Sequence, residues 1–189
     1  APAPVVTTRL MLLGIAAGVI IAAETVALLW SARLLDDVAP RLAAYAGAGV
    51  AFFGLCNGLV RFVGDRLRSA FGDVPLMAGS IVVAIIGFVG VGVAPGFTTT
   101  VLAFALVGFG TAVLIPCIFA LAAAELPDAR AAGIATVATI AGLPRALAPW
   151  VFGLIAAHAS MSIAFGLTAV LLLIALAFVI MLGQRPPAH

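Results

Sequence analysis

The chain has 189 residues, of which 65% are hydrophobic and only 8% charged, with a mean hydropathy of +1.33. No aqueous fold of this length hides so much apolar surface, so the composition specifies an integral membrane protein. The net charge of +2, dispersed and without a single Lys, excludes a basic nucleic-acid surface. In chain order, residues 1–8 carry Pro2 and Pro4 and no Met, which reads as a linker rather than a signal sequence. A spanning helix needs about 20 largely apolar residues, and six such runs follow, at about 10–35, 41–63, 74–94, 98–124, 129–157 and 160–182. The third and fourth divide a stretch from Val74 to Ala124 without one charge. Ala94-Pro-Gly-Phe-Thr-Thr-Thr100 supplies the break between them. Residues 185–189 form a short tail. Ala- and Leu-rich runs of this length are helices, because barrel strands are about 10 residues long with alternating polarity.

An even number of spans places both termini on one side. That side collects Arg9, Arg61, Arg66, Arg68, Arg130 and Arg185, whereas the other holds only Arg33 and Arg41, beside Asp36 and Asp37. The positive-inside rule makes the termini and the 61–68 segment cytoplasmic, and a bacterial inner membrane is the expected location.

Two ionisable residues lie within expected spans. Glu24 follows Arg9, and Arg145 follows Arg130, by the same interval, which puts each about 22 Å along its helix. An unpaired charge at that depth costs at least about 2.5–3.5 kcal/mol. An ion pair between the two is therefore expected, serving either to bind a polar or anionic solute or only to lock two helices. Glu24 is also a candidate proton carrier. Asn57, the polar residue of the second span, is either interhelical glue or a solute ligand. Gly14/Gly18 and Gly54/Gly58 are small-residue faces suited to close helix approach. Pro116, Pro144 and Pro149 are expected to bend the fourth and fifth spans, and Trp30 reads as an interfacial anchor. Cys56 and Cys117 sit in apolar runs without paired spacing or a nearby His, so they read as buried thiols, with no metal and no cofactor expected. No nucleophile motif or nucleotide-binding loop is present, and enzyme chemistry has no support.

The segment Arg61-Phe-Val-Gly-Asp-Arg-Leu-Arg68 is a knot of charge between two membrane-length runs. With Ala23-Glu-Thr-Val-Ala-Leu-Leu-Trp-Ser-Ala32 and Ala148-Pro-Trp-Val-Phe-Gly153, it resembles the carboxy-terminal half of major facilitator superfamily transporters, nearest to the YbjJ-like bacterial group. It departs from the usual motif at Val60, where Gly is common, and at Arg68-Ser69, where Gly-Arg is common. The resemblance implies an all-α half-bundle of two inverted three-helix repeats. The first and fourth spans would line a cavity, the second and fifth would flank a second half, and the third and sixth would face lipid. It also implies that Arg61, Gly64, Asp65, Arg66 and Arg68 form a short gating loop between the second and third spans. There Asp65 and Arg66 would cap and pair across the two halves, although solvated topology charges are the simpler reading. A transporter of this kind works as two six-helix bundles around one site. The expected partners are the bilayer, a small solute, and an N-terminal six-helix half, a second copy or another subunit. The alternative is a non-transporting membrane subunit that scaffolds a larger complex.

Overall fold

A computed structural model describes residues 6–183; the expected linker residues 1–5 and the tail with Arg185 lie outside them. Seven helices follow in order: α1 (Thr8–Val38), α2 (Ala48–Phe71), α3 (Asp73–Val93), α4 (Phe97–Thr111), α5 (Leu114–Glu125), α6 (Arg130–His158) and α7 (Met161–Gly183). Together they make six stretches long and apolar enough to cross a membrane, with α4 and α5 sharing the fourth. The end of the bundle that carries Thr8 and Gly183 is called the terminal end below.

Local chemistry sets the boundaries. The Thr7 hydroxyl accepts the Leu10 N–H at 3.1 Å and caps α1. After α1, Pro40 opens a 3-10 turn over Pro40–Tyr45, so the second span begins at Ala48 rather than 41. That span also ends later than expected. Residues 61–68, expected as a loop, form the last turns of α2, and the reversal falls on Gly72 alone, at φ +76°. Backbone groups in a helix are already paired, so charged residues extend α2 at no structural cost. Only a residue without Cβ takes the left-handed conformation that ends it. Asp73 opens α3, where a carboxylate complements the helix dipole. The fourth span divides at Ala112–Val113 because Pro116 has no N–H for the Ala112 carbonyl and its ring crowds that group. The Ser160 hydroxyl accepts the Ile163 N–H at 3.1 Å and caps α7.

α1 packs most extensively on α6, and α2 on α4; α3 lies against both α4 and α7, and α7 also packs on α1. Exchanging α1 with α4/α5, α2 with α6 and α3 with α7 maps this pattern onto itself. The bundle is thus two inverted three-helix repeats with α3 and α7 meeting at the pseudo-axis. Phe165 of α7 ties the repeats together by stacking on Phe88 of α3 at 6.3 Å, and within its own repeat it stands edge-on to Phe104 at 5.4 Å and to Phe152 at 4.7 Å. Coverage is uneven: half of the α1 span and 61% of the fourth span are buried, against 22% of α2 and 11% of the α6 span. The faces left open on α3 and α7 are apolar, whereas those on α2 and α6 carry Arg61, Asp65, Arg66, Thr139 and Arg145.

Candidate functional site: a polar cluster at the broken fourth span

Glu24 of α1, Asn57 of α2 and Thr111, the last residue of α4, converge inside the bundle. Asn57 Nδ2 donates to Glu24 Oε1 at 3.3 Å and to Thr111 Oγ1 at 3.2 Å. Thr111 is wholly buried and Asn57 is 9% exposed. Glycines on α4 allow this approach. A Cβ on Gly108 would run into the Phe53 carbonyl of α2, and one on Gly110 would run into the backbone at Ala84 of α3. Without those side chains α4 wedges between its neighbours, and Thr111 comes within reach of Asn57 just before the Pro116 break. Arg61 stands one turn beyond Asn57 on α2 and is exposed. Three helices from both repeats thus converge on one polar cluster, beside the Ala112–Val113 break in the fourth span.

Arg145 does not join them. Among the described residues Glu24 makes no ion pair, and Arg145 is exposed on α6. The register explains the correction. Gly14 meets Ile140, Gly18 meets Pro144 and Trp30 meets Gly153, so Arg145 stands roughly 7 Å nearer the terminal end than Glu24. Counting from Arg9 and Arg130 assumed equal heights for the starts of α1 and α6, which the packing does not give. Trp30 likewise is no simple anchor: its ring lies over Gly153 and 5.6 Å from that of Phe152.

The charged motif divides by helical face. Gly64 is buried against Val113. Arg68 turns inward to Asp73, with Nε donating to Oδ1 at 2.7 Å and Nη2 to Oδ2 at 3.4 Å, and it reaches Asp65 at 3.7 Å. Arg61, Asp65 and Arg66 remain exposed, Asp65 completely. Arg68 therefore staples the α2–α3 turn. Asp65 and Arg66 point away from this bundle. Both cysteines are free, Cys117 buried and Cys56 half-buried.

An apolar groove of about 250 Å³ runs between α1, α6 and α7. The hydroxyl of its one polar residue, Thr168, donates to the Ala164 carbonyl at 3.0 Å and is not offered to a ligand. The buried polar side chains gather at Glu24, Asn57 and Thr111 instead. Sequence reading missed Thr111, Asp73 and Glu125 as partners. A hydroxyl placed between Gly108/Gly110 and Pro116 was the available signal for the first.

The sequence profile of the Major Facilitator Superfamily matches residues 12–189. The chain is 30% identical over 163 residues to an uncharacterized MFS-type transporter of Yersinia pestis, covering 86% of this chain and 42% of that protein. It is 31% identical over 142 residues to an uncharacterized transporter of Sinorhizobium fredii, covering 75% of this chain and 38% of that protein. The chain thus spans about two fifths of the length of these curated relatives. With six spans in two inverted repeats, it is a multi-pass membrane protein that belongs to the Major Facilitator Superfamily.

Proposed function

We propose that this chain supplies one six-helix half of a secondary active transporter. With a second six-helix half it moves a small polar or anionic solute by alternating access, coupled to protons, across a bacterial inner membrane. The observation that carries this reading is the carboxylate of Glu24, held by Asn57 at a broken helix inside the bundle. Intramembrane ionisable groups mark solute and proton pathways, and discontinuous helices at mid-depth build transporter sites. A scaffold has no use for either.

In this mechanism Glu24 takes a proton on one side and releases it on the other, while Asn57 and Thr111 hold it in place. Arg145, exposed within a spanning helix, requires a polar surrounding; on this reading it faces the aqueous cavity and attracts the solute's negative group. Asp65, which meets only Arg68 at 3.7 Å, and the exposed Arg66 extend to the second half and hold one access state. Positive-inside asymmetry supports a cytoplasmic position for the termini and this motif.

Native mass spectrometry of the intact particle from its own membrane tests the reading. A particle with twelve spanning helices, from a second half or a second copy, supports it, and Glu24→Gln should then abolish proton-driven uptake. A lone bundle, or one attached to an unrelated complex, overturns it in favour of a scaffolding subunit.

A further inference from the structure

The geometry points to a latch at the terminal end: Arg9 and Glu125 fasten the far end of α5, which leads on into α6, to the start of α1, and α5 is the lever that transmits access at the Glu24 cluster. This rests on the alternating-access reading and adds a moving part to it. α5 is 12 residues long, a rod of about 18 Å. One end follows the Ala112–Val113 break, next to Thr111 of the polar cluster. At the other end Glu125 Oε2 lies 3.5 Å from Arg9 Nε, and Glu125 Oε1 accepts the Thr7 hydroxyl at 3.2 Å. The two charged side chains are 16% and 5% exposed.

The placement of the charges is what makes this a latch rather than a rivet. Arg9 stands in the first turn of α1, where the helix dipole is positive, and Glu125 is the last residue of α5, where it is negative. Each charge is therefore disfavoured by its own helix and favoured by the other. Together the two ends compensate one another. Apart, each charge faces a like-signed dipole, so separation is opposed by more than the loss of the ion pair. The closed contact is also loose: Arg9 Nε and Nη1 are buried with no hydrogen-bond partner among the described residues. A buried pair without full hydrogen bonding holds its partners without fixing them strongly. Such a contact suits an element that must open in each cycle.

Hydrogen exchange on the intact protein in lipid nanodiscs reads the latch without any solute. The probes are peptides covering α5 and the first turns of α1, with α7 as an internal control. Arg9→Gln and Glu125→Gln should each speed exchange at the α5 end by about fivefold or more, with α7 unchanged. The swap Arg9→Glu/Glu125→Arg restores the pair but sets each charge on its favourable dipole, so its exchange should fall between native and the single variants. Glu125→Asp keeps the charge but withdraws it from Arg9; it should raise exchange at the α5 end even where the neutral variants fail to fold. Unchanged exchange in these variants overturns the latch. A swap as protected as the native protein overturns the dipole argument. Neither result bears on particle composition, so failure of the latch is distinct from failure of the transport reading.

Discussion

Two glycine pairs with the same spacing meet opposite surroundings. Gly14 and Gly18 on α1 are filled: a Cβ at either would lie 2.7 Å from Ile140 or from the Pro144 ring on α6. Gly54 and Gly58 on α2 are empty, with nothing within 4 Å of the Cβ position. The first pair closes the bundle and the second opens outward from it, on a helix whose span is only 22% buried. On the proposed transporter this small-residue face would receive a helix of the second half, as Gly14 and Gly18 receive α6.

Substitutions should separate the two environments. The largest effect is expected at Gly108, the tightest of the filled positions. Gly108→Val drives a side chain into the Phe53 backbone and should cost about 3 kcal/mol or more, seen as loss of the monodisperse peak in fluorescence-detected size exclusion. Gly18→Val should cost about 2 kcal/mol, because the Pro144 ring has limited room to retreat; a thermal melt of the purified chain measures it. Asn57→Leu removes the donor shared by Glu24 and Thr111 and should cost about 1–3 kcal/mol. In a double-mutant cycle with Thr111→Val the two changes should be non-additive. Asp73→Asn weakens a partly exposed pair with Arg68 and should cost about 1 kcal/mol or less. Gly58→Ala should be the mildest, within about 0.5 kcal/mol for the chain itself, while reducing recovery of the larger particle. If Gly58→Ala destabilises the chain as much as Gly18→Val, the contrast between filled and empty faces collapses.

The six spans were readable because length and hydropathy are enough to specify a membrane helix, and the repeat order came with the family resemblance. Depth within a helix was not readable. Glu24 and Arg145 each follow the preceding Arg, Arg9 or Arg130, by the same interval, yet the α1–α6 register, set by Gly14 on Ile140 and Gly18 on Pro144, offsets them. The end of α2 was misplaced for a related reason. Charge marks where a chain leaves lipid, but a helix continues into water until a residue such as Gly72 turns it. Asn57 was legible as glue because a lone amide in an apolar span needs a partner. Which partner it takes depends on the close approach of α4, and that lies in the packing of Gly108 rather than in any motif.

The central claim is that the open faces of α2 and α6 look onto water and a second half, while those of α3 and α7 look onto lipid. Cysteine accessibility tests it most directly, using Arg145→Cys on α6 and Ile174→Cys on α7, each in a Cys56→Ala background in native membranes. Both positions are exposed on the bundle. A membrane-impermeant thiosulfonate should label position 145 and leave 174 untouched. Labelling of both positions by a lipid-soluble maleimide alone, with neither reached from water, would contradict the account.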